Sequence, residues 1–120
     1  LLEQQAEALM MALPNQDALL QIIQQHILAI LQDEVPELKT VAVRIGFSER
    51  SLYRYLSARG LRYKTVLNNL RYELAKNYLK NMQLSLPEIA LMLGFSEQSA
   101  FSRAFKEWSG QSPMHYRRAS

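Results

Sequence analysis

One nine-residue pattern occurs twice in this chain, and that repetition constrains the fold more than any other feature of the sequence. Val41-Ala42-Val43-Arg44-Ile45-Gly46-Phe47-Ser48-Glu49 matches Ile89-Ala90-Leu91-Met92-Leu93-Gly94-Phe95-Ser96-Glu97 at an offset of 48. Both read apolar, Ala, apolar, any, apolar, Gly, Phe, Ser, Glu. Downstream the match continues at an offset of 49, with Leu52, Arg54 and Leu56 against Phe101, Arg103 and Phe105. One extra residue therefore enters where the second copy begins its next helix.

Each copy predicts a short helix, a tight turn and a second helix. Gly46 and Gly94 sit where the first helix ends, a position that favours positive φ and no Cβ. Ser48 and Ser96 are expected N-caps, with Glu49 and Glu97 in the first turn, where the helix dipole favours negative charge. Ala42 and Ala90 are small enough to let two helices cross closely. This is helix-turn-helix grammar, met twice.

The remaining segments also read as helical. Asp17 caps an expected helix to about Gln32 that buries Leu19, Leu20, Ile23, Ile27, Ile30 and Leu31. Pro36 ends that stretch, since the residue before a proline avoids helix. Tyr63, Val66, Leu67, Leu70, Leu74 and Tyr78 recur at spacings of three and four, marking one long connecting helix to about Lys80. Ser85-Leu86-Pro87-Glu88 is a capping box. Ser112-Pro113 starts a last short helix with His115, Tyr116 and Arg117. The counterpart of Ser85 in the first copy is Glu37, so that helix start is less firmly capped. The expected fold is all-α: residues 16–62 and 81–120 as helix-turn-helix subdomains, joined by the connecting helix at 63–80. Residues 1–15, with Leu1, Leu2, Ala6, Leu9, Met10 and Leu13 before Pro14-Asn15, read as a linker or the tail of an absent N-terminal domain.

Composition narrows the function. With no cysteine in 120 residues, disulfides, Cys-ligated zinc and thiol catalysis are all excluded. The two histidines, His26 and His115, have no acidic cluster or glycine-rich phosphate loop beside them, so neither an enzyme, a metal site nor a cofactor is expected. No apolar run is long enough for a membrane span. Charge is segregated: residues 1–40 hold one base and six acids, and residues 41–120 hold thirteen bases and five acids. A basic segment of this kind suits a polyanionic partner.

Helical phase separates core from contact residues. After Ser96, the residues Phe101, Ala104, Phe105 and Trp108 share the face expected to be buried, and Ser99, Ser102, Arg103 and Lys106 the face opposite. After Ser48, Leu52, Tyr55 and Leu56 form the core stripe, and Arg50, Tyr53, Arg54 and Ser57 the opposite face. Neither four-residue stripe holds an acid, as expected of a surface that meets phosphates and base edges. Arg50, Arg54 and Arg103 are candidates for bidentate contact with guanine, with a phosphate as the alternative for any one of them, and Gln98 is the candidate for adenine. Tyr53 suits a thymine methyl or a phosphate, and Ser99 and Ser102 are adaptable donors and acceptors. Ser48, Ser57, Ser96, Lys106, Arg117 and Arg118 are candidates for phosphate contact, which positions without specifying. The connecting helix rises roughly 27 Å at 1.5 Å per residue, against about 34 Å between major-groove openings on one face of B-DNA. A monomer could lay both recognition helices in adjacent grooves. A helical protein adaptor and a non-specific architectural DNA binder are the competing readings.

Residues 17–118 resemble the AraC/XylS transcriptional regulators. The most specific portions are Ile89 to Ser96, Phe101-Ser102-Arg103-Ala104-Phe105-Lys106, Gly110-Gln111-Ser112-Pro113 and Tyr116-Arg117, with the Arg71…Ala75…Leu79 spacing of the connecting helix. The resemblance implies seven helices and base contacts at Arg50, Tyr53, Arg54, Gln98, Ser99, Ser102 and Arg103. It further implies a bacterial regulator of the cytoplasm and nucleoid, whose relatives usually activate transcription with RNA polymerase as partner. Many of them bind effector and dimerise through an N-terminal domain, which the residues before Asp17 suggest is missing from this chain.

Overall fold

A computed structural model describes residues 18–119, and all regular structure within them is helical. The seven helices are α1 (Ala18–Leu31), α2 (Leu38–Ile45), α3 (Glu49–Ala58), α4 (Tyr63–Lys80), α5 (Leu86–Met92), α6 (Gln98–Ser109) and α7 (Pro113–Ala119). Asp17 and the amphipathic stretch at 1–13 lie outside the described residues. The chain divides into two compact units, and the division falls inside α4, between Leu70 and Arg71.

The first unit packs α2 against both α1 and α3. Its core is Ile23, Ile27, Leu28, Ile30 and Leu31 of α1, Val41 and Ala42 of α2, Leu52 and Leu56 of α3, and Val66, Leu67 and Leu70 of α4. Leu19 and Leu20, expected in that core, are only half-buried at the N-terminal end of α1. The Tyr63 hydroxyl donates to the Pro36 carbonyl, tying the start of α4 to the loop after α1. Glu37 is the N-cap of α2 and makes no side-chain capping bond.

The second unit packs α6 against α5 and α7. Phe101 and Phe105 are fully buried. Around Phe105 stand Phe101, Tyr72 and Tyr116, at ring-centroid distances of 5.9, 5.7 and 5.4 Å, in the tilted and edge-on arrangements that the ring quadrupole favours. Ala104 and Trp108, on the same face of α6, are only half-buried. The α5 capping box is complete: the Ser85 hydroxyl accepts from the Glu88 N–H at 3.2 Å, and the Glu88 carboxylate accepts from the Ser85 N–H at 2.9 Å. These bonds hold the Glu88 carboxyl below the usual carboxylate range. The Ser112 hydroxyl accepts from the His115 N–H at 3.1 Å and caps α7.

Candidate nucleic-acid interface

The two turns are alike in their hydrogen bonds. The Phe47 N–H donates to the Ala42 carbonyl at 2.8 Å, and the Phe95 N–H to the Ala90 carbonyl at 2.9 Å. The glycines between them sit at φ 79° (Gly46) and 82° (Gly94), in the left-handed region. Each unit thus presents the helix after its turn (α3 or α6) by the same backbone device.

The two copies part at the start of those helices. The Ser48 hydroxyl accepts from the Ser51 N–H at 3.0 Å, as an N-cap should. Ser96 does not cap. Glu97 is the N-cap of α6, at φ −155° and ψ 159°, with no side-chain capping bond. The residue inserted between the copies moves the helix start one position along, so Ser96 stays in the turn and Glu97 lies ahead of the first turn. Helix position then pairs Glu49 with Gln98, Arg50 with Ser99, Tyr53 with Ser102, and Arg54 with Arg103.

On α3 the side chains of Arg50, Tyr53, Arg54 and Ser57 all face solvent, and Tyr53 is 62% exposed. On α6, Gln98, Ser99, Arg103 and Lys106 are exposed and Ser102 is half-buried. Beside α3 lies an open groove of 520 Å³ lined by Leu38, Glu49, Arg50, Tyr53 and Arg54. The acid-free stripe is therefore flanked by a carboxylate, that of Glu49, which spacings of three and four from Arg50 do not reach. The signal that could have found it was the offset of 49, under which Glu49 is the counterpart of Gln98.

The basic residues near the C-terminus differ in what they are free to do. Arg118 is exposed on α7. Arg117 is half-buried and bonds within the protein: its Nε donates to the Leu79 carbonyl at 2.8 Å and an Nη donates to the Asn81 carbonyl at 3.1 Å. Those are the carbonyls at the end of α4, where a cation is favoured.

A helix-turn-helix domain family matches residues 41–119, most of the chain. The chain belongs to the AraC/XylS family. The Ornithine utilization regulator of Pseudomonas aeruginosa is 45% identical over 117 residues, which is 98% of this chain and 34% of the regulator. The chain thus spans about a third of that relative's length. Among solved structures, transcriptional regulator CdpR from Pseudomonas aeruginosa is 34% identical with a TM-score of 0.70, over 81% of this chain and 31% of CdpR. The DNA-binding domain of AdpA, a global transcriptional factor solved in complex with a target DNA, is 27% identical with a TM-score of 0.68, over 83% of this chain and 90% of AdpA's. Among the described residues of this family member, no helix is long and apolar enough to cross a membrane.

Proposed function

We propose that the chain is the DNA-reading part of a bacterial transcription regulator, placing α3 and α6 in adjacent major grooves of one duplex. The observation that carries this reading is the pair of solvent-facing helix surfaces with arginine at the same helical position, Arg54 and Arg103. Arg50, Arg54 and Arg103 read guanine, Gln98 reads adenine, and Tyr53, Ser99 and Ser102 adapt to neighbouring base edges. Ser48, Ser57, Ser96, Lys106 and Arg118 hold the phosphates, while Arg117 fixes α7 against the end of α4. The 18 residues of α4 rise about 27 Å, short of the roughly 34 Å groove repeat. Recognition helices spaced more closely than that repeat would require the duplex to bend toward the protein. The likeness to a domain solved on its target DNA supports this reading.

The regulator works without enzymatic chemistry or a cofactor, in the cytoplasm on the nucleoid. It activates transcription through RNA polymerase, with effector binding and dimerisation in an N-terminal domain. A salt titration on random-sequence duplex tests the DNA-binding core of this account. Association should weaken steeply and linearly in log K against log[salt]. A protein adaptor would give no measurable binding and no slope.

A further inference from the structure

Glu49 is the first residue of α3, is exposed, and lines the same groove as Arg50, Tyr53 and Arg54. Its carboxylate has no hydrogen bond or ion pair with Arg50, Arg54 or any other described residue. The first turn of a recognition helix is the part that reaches base edges. Arg50, Tyr53 and Arg54 pair with Ser99, Ser102 and Arg103, and the fourth member of the α6 set, Gln98, pairs with Glu49.

A carboxylate here is costly unless it finds a donor, because phosphate oxygens surround it in any complex. Guanine and thymine offer it none in the major groove, where both expose acceptors. Cytosine offers its N4 amino group with no acceptor on the same base edge. Adenine offers N6, but beside an N7 acceptor that repels the carboxylate. In the second unit no carboxylate stands at this position: Glu97 lies outside α6 as its N-cap, and Gln98 stands there instead.

Resting on the base-reading function proposed above, we infer that Glu49 is a specificity-determining residue that selects cytosine at one base pair of the first unit's half-site. Its cost in non-specific affinity is offset by discrimination against guanine and thymine at that position. Its counterpart Gln98, an amide able to donate and accept, selects adenine in the second half-site. The two units therefore read different sequences with one helix position.

The test starts from the duplex that wild-type protein selects from a random pool, together with all its single-base variants. Binding of wild type, Glu49→Gln and Glu49→Ala is measured on the whole set, with helical content checked by circular dichroism. At one base pair, Glu49→Gln should lose about tenfold in preference for cytosine and shift toward adenine, leaving the other preferences unchanged. Glu49→Ala should lose the preference there without gaining another. Both variants should bind random duplex at least as tightly as wild type. If both keep the wild-type preference at every base pair, Glu49 reads no base and the inference is overturned while the base-reading function stands. If wild type itself selects no sequence, both are overturned together.

Discussion

The Arg71 Nε donates to the carbonyl of Leu93, 2.8 Å away and 22 residues along the chain, while its guanidinium lies over the ring of Phe95 at 4.5 Å. Arg71 is only 9% exposed. One buried side chain from α4 thus holds both the carbonyl and the aromatic ring that flank Gly94 in the second turn. The planar guanidinium can bond edge-on and stack face-on at once, which an ammonium cannot.

Replacing Arg71 should accordingly damage the second unit. Arg71→Ala leaves the Leu93 carbonyl without its charged donor and is expected to cost about 2–3 kcal/mol. Arg71→Lys should recover less than half of that, because it loses the stacking geometry. Thermal or urea unfolding measures both, and a Lys variant as stable as wild type would contradict the assignment.

A second expectation concerns the first turn. An added Cβ at Gly46 would meet nothing within 4 Å, so Gly46→Ala acts through its positive φ alone. It should destabilise by about 1–2 kcal/mol. Gly46→Asn should cost distinctly less, since Asn enters the left-handed region more readily. Equal losses for Ala and Asn would show that backbone strain is not the cause.

The α5 capping box makes stability depend on acid. The Glu88 carboxyl is held below its usual range chiefly by the bond from the Ser85 N–H and next by the Ser85 hydroxyl. A depressed folded-state pKa contributes stability that is fully present above the unfolded-state value and is lost as pH falls through the folded-state value. Wild type should therefore lose part of its advantage over Glu88→Gln between pH 7 and pH 3. Ser85→Ala should cost about 1 kcal/mol at pH 7. A stability gap between wild type and Glu88→Gln that is the same at both ends of that range would refute the pH account.

Much of this architecture was legible because the repeated Gly-Phe-Ser block forces the same turn twice and the apolar spacing of α4 leaves little choice but a long helix. What escaped had physical causes. Ser96 carries the residue type of a cap, but the single inserted residue moves the helix start, and residue identity cannot report that shift. Val43 and Leu91 are apolar positions of the repeat, yet they are 71% and 65% exposed. A third apolar position in so short a helix falls off its buried face. Arg117 reads as one more surface cation until the α4 C-terminus, some 38 residues earlier, is brought beside it. Glu49 reads only as a partner of the helix dipole, because a stripe of positions three and four apart begins one residue after it.

Base reading by arginine gives the next expectation. Arg54→Ala and Arg103→Ala should each lose about 1–3 kcal/mol on the selected duplex, with relaxed preference at one base pair, and the two affected base pairs should differ. Lys106→Ala should weaken binding to all sequences alike and reduce the salt slope by about one. Equal losses for the arginine variants on selected and random duplex would make them phosphate contacts instead.

The central claim is that both units read bases, and selection of bound fragments from a random duplex pool tests it most directly. Two short sequence blocks should emerge, centred about one helical turn (roughly 10 base pairs) apart. Arg54→Ala should blur one block and Arg103→Ala the other. A single block, blurred by only one of the two variants, would contradict the claim and leave one unit holding the backbone alone.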